Sequence, residues 1–228
     1  MAVFVLVHGA WSGGWGYREV AAKLRAAGHE VHVPTMTGLG DRAHLASPAI
    51  TLSTHVADVL GMIESEDLDD IVLVGHSYGG MVVTGVATKI GAKIRSLVYL
   101  DAFLPGDGEA LWDIADEAAR KHYIDAQKDE PGFVAPLPMP PGVKPLRTMN
   151  RHPLLTLLEP VHFTGKEAQV KNRTYIYATR DAPTIFTQFY ETVKDAPQWR
   201  VHEIATGHIV MLDDPEGLTR LLLAEVDR

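Results

Sequence analysis

The chain has 228 residues, 46% apolar and 22% charged, which suits one domain with a sizeable core and room for an insertion. Lys and Arg number 21 against 29 Asp and Glu, a formal charge of −8; with no basic cluster anywhere, nucleic acid and anionic membrane are poor partners. There are no cysteines, so disulfides, thiolate zinc sites and a cysteine nucleophile are excluded, while the redox compartment stays open.

The opening apolar run, Ala2 to Val7, gives way at once to His8-Gly9. That is too short for a signal-peptide core or for a membrane span of ~20 residues, and the expectation is a soluble, cytoplasmic protein. In chain order, Val3–Val7 reads as a strand, Trp15–Ala27 as a helix closed by Gly28, and Glu30–Pro34 as a second strand. Thr51–Ser65 carries apolar residues at helical spacing, at Leu52, Val56, Val59, Leu60 and Ile63. The continuous apolar run Ile71–Gly75 suits a strand buried on both faces, followed by a helix over Met81–Ile90 that stops at Gly91 and a strand over Ile94–Leu100. After a long interval come a strand (Thr174–Ala178), a helix (Thr184–Val193), a strand (Arg200–Ile204) and a last helix (Pro215–Val226). Strand and helix alternate, which predicts an α/β fold with a mainly parallel sheet covered on both faces.

From Leu104 to Asn172 the strand signal vanishes, and Pro131–Pro145 holds six of the 14 prolines. A structureless loop of that length does not belong inside a compact domain. The division expected is a core of residues 1–103 and 173–228 with a cap at 104–172, the cap having helices near Glu109–Lys128 and Leu154–Glu159.

The sharpest chemical signal is Gly75-His76-Ser77-Tyr78-Gly79-Gly80, directly after one strand and directly before a helix. That is the context of a nucleophile elbow: a strained turn lifts the serine hydroxyl clear of the sheet, and glycines let the strand and helix backbones pass closely. Ser77 is the candidate nucleophile. A serine needs a general base, and the base an orienting carboxylate. Of 11 histidines, His208 sits in the turn after the last strand, where it would project at the sheet's carboxyl edge. His8 and His76 flank motif glycines and fit the pocket floor. For the acid, Asp181 just past its strand gives the order Ser…Asp…His of α/β-hydrolases. Asp101, at the end of the strand Ile94–Leu100, is the rival on the same sheet edge. Asp213 and Asp214 fall where they would cap the last helix. An oxyanion needs two donors: the backbone N–H of Tyr78, after the nucleophile, and that of Ala10 in the loop after the first strand.

Phe4–Trp11, Pro34–Leu45, Thr54–Ile63, Val74–Met81 and Leu100–Pro105 resemble the small α/β-hydrolases, a group of plant methylester esterases, hydroxynitrile lyases and bacterial carboxylesterases. The resemblance runs over nearly the whole chain. It implies a six-stranded parallel core starting at the His-Gly strand, a helical cap after the sixth family strand, a triad of Ser77, Asp181 and His208, and oxyanion amides at Ala10 and Tyr78. The lyases carry a lysine directly after the catalytic histidine and a hydroxyl-bearing residue after the first-strand histidine; here these places are Ile209 and Gly9. Without that cation a departing cyanide has no electrostatic support, so hydrolysis is favoured.

The expectation is therefore a carboxylesterase-type serine hydrolase, without cofactor or metal, whose partner is a small-molecule ester. Trp11, His8, Phe103, Leu104, Trp112, Leu154 and Leu157 are candidate pocket residues. No arginine is placed to pair a substrate carboxylate, which favours a neutral ester with an apolar or aromatic acyl part. A homodimer is allowed but not required. Two alternatives stand beside this reading: a tailoring enzyme or cofactor-free lyase on the same triad, and a ligand receptor with slow hydrolase activity.

Overall fold

A computed structural model describes residues 1–137 and 149–226. The strand β1 (Val3–Val7) leads through a helical turn into α1 (Arg18–Ala26), which stops where Gly28 adopts φ +87° and lets the chain reverse into β2 (Glu30–His32). The helix α2 (Leu52–Ser65) starts in a capping box in which Thr51 and Thr54 satisfy each other's backbone amides. Then follow β3 (Ile71–His76), α3 (Gly79–Ile90) and β4 (Ile94–Leu100).

Between β4 and the next core strand the chain forms α4 (Leu111–Ile114), α5 (Glu117–Ala126), β5 (Phe133–Val134), β6 (His152–Pro153) and α6 (Leu155–Leu158). The single helix expected near Glu109–Lys128 is two, because Asp116 turns out of the first and caps the second through Ala119 N–H at 2.7 Å. The strand signal does not vanish here either: β5 and β6 pair antiparallel, too short for a periodic pattern to register. Much of the proline-rich Pro131–Pro145 stretch, from residue 138 on, lies outside the described residues. The core resumes with β7 (Asn172–Ala178), α7 (Thr187–Val193), β8 (Trp199–Ile204), α8 (Val210–Asp213) and α9 (Pro215–Leu223). Pro215 opens α9, and Asp214 caps it by accepting from Gly217 N–H at 2.7 Å, as its place in the sequence suggests.

The main sheet has six strands in the order β2-β1-β3-β4-β7-β8, all neighbours parallel. Every residue of β3 is buried, and its side chains alternate between two cores: Ile71 and Leu73 join the cluster under α2, α3 and the cap, Val72 and Val74 the cluster under α1 and α9. Cap residues Leu111, Tyr123, Val134 and Leu157 belong to the first cluster, so the described part of the insertion packs into the core of the sheet itself. Among the described residues no helix is long and apolar enough to cross a membrane.

Candidate active site

At the end of β3 the chain turns sharply through Ser77, a non-glycine residue at φ +55°. Such a conformation costs on the order of 1–3 kcal/mol and persists only where the surroundings enforce it. The enforcement is visible. Ser77 N–H donates to Leu100 O at 3.3 Å, and Ser77 O accepts from Gly80 N–H at 3.0 Å and Phe103 N–H at 3.2 Å. The motif glycines make the turn physically feasible: a Cβ on Gly80 would stand 2.0 Å from Phe103 O, and one on Gly79 2.9 Å from both His8 O and Val7 O.

His208 follows β8 in a loop tied down on the far side. Arg180 N–H donates to Thr206 O at 3.0 Å, Gly207 N–H donates to Asp213 Oδ2 at 2.9 Å, and Arg180 Nη2 pairs with the same oxygen at 2.7 Å. The imidazole lies flat against Phe186, centroids 4.6 Å apart and planes within 10°. His76 packs on it at 4.6 Å, and its Nε2–H donates to His208 O at 2.8 Å. Burial holds His76 well below the usual histidine range, and the adjacent His208 adds to that.

The carboxylate on His208 is Asp101, not Asp181. His208 Nδ1–H donates to Asp101 Oδ2 at 2.7 Å, and Ala178 N–H donates to Asp101 Oδ1 at 3.2 Å. Asp101 is 1% exposed and adopts φ +41°, with its own N–H on Ile176 O at 2.7 Å. The expected contact of Asp181 with His208 is absent: Asp181 lies three residues beyond β7, its side chain is 61% exposed, and among the described residues its ion-pair neighbour is Arg180 at 3.7 Å. A strand-end aspartate that stays tucked under the sheet edge thus takes the place that chain order assigned to one further along its loop.

Ser77, His208, Ala10 and Tyr78 all open on one cavity of about 590 Å3 between sheet edge and cap. Neither the Ala10 nor the Tyr78 amide donates a hydrogen bond within the described residues. Gly9 lies against Ser77: a Cβ there would stand 3.0 Å from Ser77 Cβ and from His76 Nδ1. Of the expected pocket residues, His8, Trp11, Phe103 and Leu157 line this cavity, whereas Leu104, Trp112 and Leu154 pack partly buried against the core instead. In α4 it is Leu111 that faces the cavity; Trp112, one residue on and therefore about 100° round the helix, lies by Tyr123 and under Arg120. Phe186, Ile185, Tyr123, Trp15, Met211 and Leu212 also line the space. They lie on elements far apart in sequence, and no local pattern marks them.

At and beneath the cavity floor His8 and His55 are neutral hydrogen-bonding groups. His8 Nε2 accepts from Met36 N–H at 3.1 Å and Nδ1–H donates to Gly9 O at 2.8 Å; burial brings its pKa down to about 4. His55 Nε2–H donates to Thr37 O at 2.9 Å and Nδ1 accepts from the Tyr78 hydroxyl at 2.9 Å, with its pKa again lowered by burial to about 4.

Residues 4–221 match the profile of the Alpha/beta hydrolase family. The chain is 45% identical to a carbendazim hydrolyzing esterase of Nocardioides sp., over 98% of this chain and 99% of that one. It is 26% identical to the putative methylesterase 19 of Arabidopsis thaliana, over 99% and 97%. An extracellular alpha/beta-hydrolase from a Paenibacillus species superposes with a TM-score of 0.84 at 23% identity, covering 99% of both chains. Fold, elbow and sequence agree: the chain belongs to the alpha/beta hydrolase family and is an esterase-type member of it.

Proposed function

We propose that the protein cleaves neutral carboxylic esters of small apolar or aromatic acyl groups through an acyl-enzyme, with Ser77 as nucleophile, His208 as base, Asp101 as orienting acid and the Ala10 and Tyr78 amides as oxyanion donors. The observation that carries this reading is the pairing of an elbow serine at φ +55° with a histidine bonded to a buried carboxylate, both facing one cavity.

The chemistry follows from the proton inventory. With Asp101 accepting from Nδ1–H, the lone pair of His208 rests on Nε2. Ser77 Oγ attacks the carbonyl carbon, its proton passes to Nε2, and Asp101 stabilises the imidazolium. The carbonyl electron pair collects on oxygen between the two amides, each such donor being worth about 3–4 kcal/mol. Collapse expels the alcohol, which takes the proton from His208; water activated by the same histidine then clears the acyl group. Among the described residues the cavity holds no lysine or arginine, and Asp116 is its one acidic residue. An anionic substrate would lose its solvation there without a cationic partner among the described residues, whereas a flat neutral one would sit among the aromatic rings. Because a relative is named for hydrolysing carbendazim, a methyl carbamate on a planar benzimidazole, aryl methyl carbamates and aromatic methyl esters are the substrates to try first.

Burst kinetics with p-nitrophenyl acetate and butyrate test this. Wild type should show a burst followed by turnover, and Ser77→Ala neither, with its thermal melt unchanged. Turnover by a folded Ser77→Ala variant at the wild-type rate would end the proposal.

A further inference from the structure

One cap side chain touches both residues that frame the oxyanion site. His152, in β6, is fully buried. Its Nε2 lies 2.7 Å from Thr156 Oγ1, whose single proton is directed to Pro153 O at 2.7 Å. The imidazole proton must therefore sit on Nε2, which leaves Nδ1 a bare acceptor. That acceptor faces Trp11 N–H at 3.4 Å. On its other side the ring packs edge-on against Tyr78, centroids 4.7 Å apart at 75°, and the Tyr78 hydroxyl is pinned by His55.

Trp11 follows Ala10 and adopts φ +59°, a left-handed conformation that costs a bulky residue on the order of 1–3 kcal/mol. The cap holds it there. Besides His152, Val134 O accepts from the Trp11 indole N–H at 2.9 Å, and Trp11 O accepts from Asn150 N–H at 3.0 Å. Burial keeps the His152 imidazole far below the usual histidine range, with His55 and His8 acting in the same direction, so the acceptor is retained at neutral pH.

We infer that His152 is a positioning residue for the oxyanion site: through Nδ1 it fixes the strained Trp11 turn beside Ala10, through its ring it fixes Tyr78, and the cap thereby sets the two amides that receive the negative charge. The inference rests on the serine-hydrolase reading above.

The test uses three substitutions that separate hydrogen bonding from filling space. In His152→Asn the amide oxygen stands near the place of Nδ1 and keeps an acceptor for Trp11 N–H; His152→Gln reaches Thr156 and lacks that acceptor; His152→Phe fills the volume with no polar atom. Activity is followed with p-nitrophenyl butyrate. Binding is followed with an alkyl trifluoromethyl ketone, which adds Ser77 Oγ, sends the serine proton to His208 and leaves an alkoxide in the hole, and with the corresponding methyl ketone, which binds as the ground state does. Gln and Phe should lower kcat roughly 10- to 100-fold, a partial loss of hole donors, with KM within about twofold. They should weaken the trifluoromethyl ketone by the same factor and leave the methyl ketone unchanged; Asn should stay within about threefold of wild type. A role in packing alone gives the opposite order, with Asn worst because it leaves the largest void, and that order would overturn the inference, as would wild-type kcat in all three.

Thr156→Val, nearly isosteric, covers the case in which Gln and Phe do not fold. It removes the acceptor that holds the proton on Nε2 and should reproduce the selective loss of kcat; an unchanged kcat would again overturn the inference. Ser77→Ala, run alongside, keeps the two readings apart. Activity surviving there removes the hydrolase reading itself, whereas a dead Ser77→Ala with wild-type His152 variants removes only the positioning role.

Discussion

Replacing Asp101 by asparagine changes one oxygen to an NH2 group in a buried setting where both oxygens are already used. His208 Nδ1–H reaches Oδ2 at 2.7 Å and Ala178 N–H reaches Oδ1 at 3.2 Å. Asparagine has one oxygen for these two donors. If it faces Ala178, its NH2 faces His208 and favours the tautomer with the proton on Nε2, which can no longer accept from Ser77. If it faces His208, the NH2 meets the Ala178 amide, donor against donor, and no charge remains to stabilise the imidazolium. In a serine triad the wrong tautomer lowers kcat about 10^4-fold, or about 5.5 kcal/mol. Asp101→Asn should lose about that much in kcat. Asp181→Asn, changing a side chain 61% exposed and 3.7 Å from Arg180, should stay within about twofold, as exposed pairs are worth little. Steady-state hydrolysis of p-nitrophenyl butyrate by both variants, with thermal melts to show that each folds, decides the matter. The reverse ordering, or a mild effect of Asp101→Asn in a folded protein, would refute the assignment and return the acid role to the loop after β7.

The other expectations can be checked as directly. Racemic mandelonitrile should release no cyanide above background, because the cavity residue after His208 is Ile209 and no lysine or arginine lines the cavity among the described residues; enzyme-dependent cyanide would revive a lyase. Stability should fall on mild acidification. His8 and His55, ordinarily near 6.5, are held at about 4 by burial, so below pH 6.5 the unfolded chain binds protons that the folded chain refuses. Stability is complete above that point and drains at about 1.4 kcal/mol per pH unit for each such histidine down to pH 4; a urea midpoint constant from pH 7 to 4.5 would contradict this. Gly80→Ala should cost at least about 3 kcal/mol in urea unfolding, at the severe end for overpacking, since its Cβ would stand 2.0 Å from the Phe103 carbonyl; a melt within a degree of wild type would show that the elbow relaxes more freely than its contacts imply.

What could be read from the sequence was what repeats or is local. Alternating apolar runs gave all six core strands, because a parallel sheet covered on both sides demands continuous apolar residues, and β3 shows this at every position. The elbow could be read because strand, glycine-flanked serine and helix must be contiguous. The carboxylate that pairs with His208 could not. Asp101 and Asp181 both follow strands that end on the same edge, and β4 and β7 are neighbours. What separates them is the backbone of Asp101 at φ +41° and an amide donor from Ala178, 77 residues away. The β5–β6 pair escaped for a related reason: it is two residues long, and its contacts, from His152 and Val134 to Trp11, are distant in sequence.

The histidines show why position at an edge is not enough to name a base. His8, His55, His76, His152 and His208 gather near one another at the carboxyl end of the sheet. Four of them are 0–5% exposed, and each gives a ring N–H to a neutral oxygen: Gly9 O, Thr37 O, His208 O and Thr156 Oγ1. A neutral acceptor does little to stabilise an imidazolium, and burial penalises it, so these rings stay neutral and serve as struts. His208 differs on both counts. Its Nδ1–H meets a buried carboxylate, and its side chain is 35% exposed toward the cavity. In the proposed mechanism these are the surroundings a base needs to take a proton from Ser77, hold the charge against Asp101 and pass the proton on. Of the five, it alone meets a carboxylate, while the other four give their ring N–H to neutral oxygens around it.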